Sequence, residues 1–86
     1  MMTNEQVSEL FKEYRRTGDK NIRNKLVENY MYIAEVLAKK FAGRGVEYDD
    51  LLQVASEALI LGVEKFDPSL GNQFTIYVTP TITGMI

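Results

Sequence analysis

Ile22, Leu26, Tyr30, Ile33, Leu37 and Phe41 recur at intervals of three or four residues, which places them on one face of a long helix. Val27, Ala34 and Ala38 widen that apolar face. A helix with one apolar face is stable only when another element covers it, so this stretch dictates the packing of its neighbours. Gly43 and Gly45 mark its end.

Two further amphipathic helices flank it. The first opens at Thr3, which forms a capping-box spacing with Gln6. Val7, Leu10, Phe11 and Tyr14 then supply one stripe. In Thr17-Gly18-Asp19, Gly18 suits a left-handed helix end and Asp19 an N-cap for the long helix. The third helix is predicted to be capped by Asp49 or Asp50, with both carboxylates near the positive end of its dipole. Leu51, Leu52, Ala55, Leu59, Val63 and Phe66 form its apolar face, and Ala55, Ala58 and Gly62 would let a neighbour approach closely. Asp67-Pro68-Ser69-Leu70-Gly71 reads as a turn.

The last segment is ambiguous. Seven of the nine residues from Thr75 to Thr83 are β-branched, and propensity alone reads them as a strand interrupted by Pro80. Such a run near a chain end is also expected to fray or self-associate.

Composition excludes several chemistries. The 86 residues include no Cys and no His, which removes disulfides, thiol or imidazole catalysis and Cys/His zinc sites. No twelve-residue calcium-loop pattern surrounds Glu47, Asp49 and Asp50, and Gly43-Arg44-Gly45 follows a helix where a phosphate loop would follow a strand. No enzyme, cofactor or metal is expected. Residues 1–20 lack the apolar core of a secretory signal, and a cytoplasmic location without membrane contact is expected.

Charge is unevenly spread. Residues 1–45 carry nine Lys or Arg against six acids, a net of +3, whereas residues 46–86 carry Lys65 against six acids, a net of −5. The C-terminal half should therefore favour a basic protein surface over nucleic acid.

Two motifs in that half carry a family resemblance. One is Asp50-Leu51-x-Gln53 on the third helix; the other is Phe66-Asp67-Pro68-x-x-Gly71-x-x-Phe74-x-x-Tyr77. Together they resemble region 2 of the sigma-70 family of bacterial transcription initiation factors, over roughly Lys25 to Tyr77. The segments Phe41–Asp50 and Tyr77-Val78-x-Pro80-x-Ile82-x-Gly84 are most similar to the general-stress and sporulation branch. The resemblance implies one all-α domain over residues 1–86, three packed helices with a fourth segment across them, and hence a helix where propensity reads a strand. Its core would come from Leu10/Phe11, Ile33/Leu37/Phe41 and Leu52/Leu59/Phe66.

The resemblance also assigns roles. The residues matching the family's grip on the β′ clamp coiled coil of RNA polymerase are Asp49, Asp50, Gln53, Ser56 and Glu57. Phe74 and Tyr77 match its DNA-engaging aromatics, Tyr77 as a platform for a flipped promoter base. Phe66 and Phe74 also read as core anchors. The chain departs from the pattern at Val54, where an acid is common; at Ala55 and Ala58, commonly Gly; at Gln73, commonly Lys; and at Pro80, Thr81 and Thr83, where aromatics or Arg are usual.

Two functional expectations follow. One is a transcription initiation protein that binds the β′ subunit and meets promoter DNA only within the holoenzyme. It is expected to lack the −10-reading end and region 4, either as a free-standing co-regulator completed by a second sigma-like polypeptide or as a truncated sigma factor. The other is a protein-interaction module, of the sigma or anti-sigma regulator type, that never engages DNA.

Overall fold

A computed structural model describes residues 2–70 and 73–86; Gly71, the last residue of the expected turn, lies outside them. The described residues form four helices and no strand: α1 (Asn4–Thr17), α2 (Lys20–Phe41), α3 (Tyr48–Lys65) and α4 (Phe74–Met85), with a single 3₁₀ turn at Pro68–Leu70. No helix among them is long and apolar enough to cross a membrane. α2 packs along α3, α4 lies mainly on α3, and α1 closes the side formed by α2.

The first two helix starts follow from local chemistry. The Gln6 N–H donates to Thr3 Oγ1 at 3.2 Å and the Thr3 N–H donates to Gln6 Oε1 at 2.9 Å, which completes the capping box. Gly18 ends α1 at φ 69°, and its N–H donates to the Tyr14 carbonyl. A side chain is disfavoured at that positive φ because Cβ crowds the following carbonyl. Asp19 Oδ1 then accepts the Asn21 N–H at 2.8 Å and caps α2.

The start of α3 departs from expectation. Its N-cap is Glu47, which makes no side-chain capping bond, and Asp49 and Asp50 lie inside the first turn. The helix begins two or three residues earlier than the acidic pair predicts. The carboxylates keep their favourable place near the helix dipole but are not consumed by capping.

Phe11, Leu26, Leu59, Val63, Val78 and Ile82 are the largest fully buried side chains. Ile33 and Phe66 join them in the core, while Leu10, Leu37 and Leu52 pack partly buried against its edge. Phe41, expected in the core, is half-buried at the end of α2. There Lys40 Nζ and the Arg44 guanidinium lie 5.8 and 6.0 Å from its ring centroid, within cation–π range.

Residues 74–85 are helical, as the resemblance implies and against the β-branched composition. Phe74, Val78 and Ile82, four residues apart, form its buried stripe. Packing is large enough to offset propensity here: burying Phe74, Val78 and Ile82 contributes about 1.5–3 kcal/mol each, whereas each of the seven β-branched residues carries a deficit of at most about 0.7 kcal/mol. Thr79 Oγ1 donates to the Thr75 carbonyl at 2.7 Å and Thr81 Oγ1 to the Tyr77 carbonyl at 3.3 Å, so both hydroxyls are satisfied inside the helix. Pro80 is exposed, on the side of Ile76, which is 68% exposed. The Ile76 carbonyl, which loses its helical donor to Pro80, therefore lies on the solvent side.

Candidate functional site: the exposed face of α3 and an aromatic cluster beneath α4

α3 is divided by burial. Leu51, Ala55, Ala58, Leu59, Gly62 and Val63 face inward, whereas Asp49, Asp50, Gln53 and Glu57 are exposed. Spacings of three and four residues between Asp50, Gln53 and Glu57 align these side chains along one strip. Among the described residues, no cationic side chain pairs with Asp49, Asp50 or Glu57. The strip thus presents acidic acceptors and a Gln amide to solvent, a chemistry suited to a basic partner surface. Ser56 differs from the other four. It is half-buried, and its hydroxyl lies 3.6 Å from Met31 Sδ on α2, so it stands at the helix seam. Leu61, one turn beyond Glu57, is 39% exposed and continues the strip with an apolar group.

A group of aromatic residues gathers around the start of α4. Phe74 is only 4% exposed. Its ring centroid lies 4.5 Å from that of Tyr30, 5.2 Å from Phe11 and 5.3 Å from Phe66. Its ring is interior, so it can serve a bound base only through the residues it supports. Tyr77 is half-buried, with its centroid 5.4 Å from Phe66 and 6.5 Å from Phe74. Of the two sequence-predicted aromatics, Tyr77 is the one that reaches the surface.

Tyr30 and Tyr32 escaped sequence reasoning as functional candidates. A cleft of about 460 Å³ opens between α1, α2 and the start of α4, with Tyr30, Tyr32, Gln73 and Phe74 in its walls. Burial, and secondarily nearby Tyr32, push the Tyr30 phenol above its ordinary 10.0. Helical spacing recorded Tyr30 only as part of the α2 stripe. The pairing with Phe74 that makes it a cleft wall depends on where α4 lies, which no local pattern reveals.

The family described as sigma-70 region 2 matches residues 26–86. The chain belongs to the sigma-70 family. The RNA polymerase sigma-F factor of Bacillus licheniformis is 37% identical over 81 residues, which is 94% of this chain and 31% of that protein. The RNA polymerase sigma-G factor of Bacillus subtilis (strain 168) is 33% identical over 86 residues, all of this chain and 33% of the relative. The sigma-B factor of the same strain is 31% identical over 85 residues, 99% of this chain and 32% of the relative. The chain thus spans about a third of the length of these curated relatives.

Proposed function

We propose that residues 1–86 form a sigma region 2 domain that acts in bacterial transcription initiation. It docks on the clamp coiled coil of the RNA polymerase β′ subunit through Asp49, Asp50, Gln53 and Glu57. Ser56 borders that contact from the α2–α3 seam. The observation that carries this reading is the exposed strip on α3, whose acids have no cationic partner among the described residues although the opposite face of the helix is fully packed. Tyr77, supported by Phe66 and Phe74, offers a ring to a base of single-stranded promoter DNA.

Residues 74–85 contain no charged side chain, and neutralising phosphates requires Lys or Arg. The remaining promoter contacts are therefore assigned to residues beyond 74–85, in a second sigma-like polypeptide or in the remainder of a longer sigma factor, with DNA met only inside the holoenzyme. The role is one of binding without catalysis, in the cytoplasm. The same lack of cations, with the −5 charge of residues 46–86, favours a second reading. In it the chain is an interaction module that occupies the clamp, or a sigma or anti-sigma regulator, and never touches DNA.

The test is affinity for purified β′ clamp coiled coil, native chain against an Asp50→Ala, Gln53→Ala variant. Loss of a central charged contact and its neighbour should weaken binding about tenfold or more. No binding by the native chain would reject the polymerase reading. Clamp binding combined with no effect of Tyr77→Ala on single-stranded DNA would select the second reading.

A further inference from the structure

Five aromatic rings, Phe11, Tyr30, Phe66, Phe74 and Tyr77, pack together at the start of α4, and α1 reaches this cluster with two side chains one turn apart. Phe11 lies edge-on to Phe66, with centroids 4.9 Å apart, and 5.2 Å from Phe74. Arg15 Nη1 donates to the Phe66 carbonyl at 3.2 Å, and its Nη2 lies 3.8 Å from Asp67 Oδ2. Phe66 is the residue at which α3 ends: its backbone is extended (φ −65°, ψ 131°), so the chain leaves the helix there. Its carbonyl therefore has no helical donor and takes one from Arg15.

Asp67 is held from the other side. Its Oδ1 accepts the Ser69 N–H at 2.9 Å and the Ser69 hydroxyl at 2.6 Å, which leaves Oδ2 toward Arg15. Arg23 on α2 adds a second strut, with Nη1 3.1 Å from Glu64 Oε2 in the last turn of α3. The end of α3 is thus fixed from two neighbouring helices by guanidinium groups. The ring that hangs from this fixed point, Phe66, is the one packed closest to Tyr77.

We propose that Arg15 is a positioning residue for base stacking: by holding the Phe66 carbonyl and Asp67, it sets the floor on which the Tyr77 ring is presented to single-stranded DNA. The proposal rests on the DNA-engaging reading of Tyr77 given above. It extends that reading to α1, which the family match leaves out because that match begins at residue 26. The physical basis is preorganisation. A ring already held in its stacking pose loses less conformational freedom on binding than one that must be ordered at that moment. Arg suits the task because its planar fork can serve a carbonyl and a carboxylate at once, which a Lys ammonium does less well. The Arg15 side chain is 45% exposed, so its removal leaves no buried unpaired charge and the fold should persist.

The experiment uses the 86-residue chain bound to core RNA polymerase and a fluorescein-labelled single-stranded oligonucleotide carrying a −10-like sequence, read by anisotropy. Native, Arg15→Gln, Tyr77→Ala and the double variant form a cycle, with affinity for the isolated clamp coiled coil measured in parallel. Tyr77→Ala is expected to weaken DNA binding about tenfold. Arg15→Gln is expected to weaken it about threefold in the native background and to have almost no effect once Tyr77 is gone. Arg15→Lys should recover part of the loss, and clamp affinity should not change. An equal Arg15→Gln penalty in both backgrounds, or a parallel fall in clamp affinity, would overturn the positioning role. An effect of Tyr77→Ala with none of Arg15→Gln would reject this inference alone. No effect of Tyr77→Ala would reject the DNA reading and the inference with it.

Discussion

Replacing Gly62 by Ala would place a new methyl carbon 2.6 Å from Val78 Cγ2, with Val78 Cβ at 3.7 Å and Phe74 Cε1 at 3.9 Å. Carbon atoms prefer about 3.5–4.0 Å, so the first contact is short by about 1 Å and the others are ordinary. Val78 is fully buried, and a valine within a helix has one strongly preferred χ1 rotamer. Its methyl cannot swing aside, and relief requires α4 to slide off α3. Overpacking of this kind costs about 1–3 kcal/mol. Against it stands the higher helix propensity of Ala, worth about 1 kcal/mol. The expected balance is a loss of about 1 kcal/mol, or a fall in Tm of about 4–8 °C for a domain of this size. Urea and thermal unfolding followed by helical circular dichroism would measure it.

The cycle with Val78→Ala sharpens the argument. Without the valine methyls the clash disappears, and Gly62→Ala should then stabilise by about 1 kcal/mol through propensity. The sign of the Gly62 substitution is thus predicted to invert with the residue opposite. A rise in Tm on Gly62→Ala in the native chain would refute the claim that close approach, and not backbone preference, explains the glycine.

Two further outcomes follow from local chemistry. Thr3→Ala removes the oxygen that accepts the Gln6 N–H and should cost about 1 kcal/mol, visible as earlier unfolding; an unchanged Tm would argue that the capping box contributes nothing. The Ser69 hydroxyl, its backbone N–H and, more weakly, Arg15 hold the Asp67 carboxyl below its ordinary 3.8. Because the folded value is the lower one, this group stabilises the fold above its unfolded pKa, and the contribution is lost as pH falls through the depressed folded value. Ser69→Ala should move Asp67 back toward 3.8 in a side-chain carboxyl NMR titration, and an unmoved titration would show that the hydroxyl is not the main cause.

The proposed site was partly legible in the residues. The strip of Asp49, Asp50, Gln53 and Glu57 is named by the family resemblance, with helical spacing putting Asp50 and Gln53 on one face, and all four side chains are exposed. The tendency of Phe to be buried already reads Phe74 as a core anchor, but the motif by itself does not say how far Tyr77 reaches the surface. Only the placement of α4 over Phe11, Tyr30 and Phe66 buries the first ring and leaves the second partly open. Ser56 likewise shares the strip's spacing, but its contact with Met31 depends on how α2 crosses α3.

The same division runs through the fold. Thr3 with Gln6, Gly18 and Asp19 set helix boundaries by contacts within a few residues, so the sequence alone specifies α1 and the start of α2. The apolar stripe from Ile22 to Phe41 likewise identifies α2 by itself, because its period is a property of the residues and not of their surroundings. The C-terminal segment is the opposite case. Its β-branched composition favours a strand, and it becomes a helix because Phe74, Val78 and Ile82 then share one face against the surface that Gly62 leaves open on α3. That choice belongs to the tertiary structure, since the burial that outweighs local preference exists only once α3 is in place.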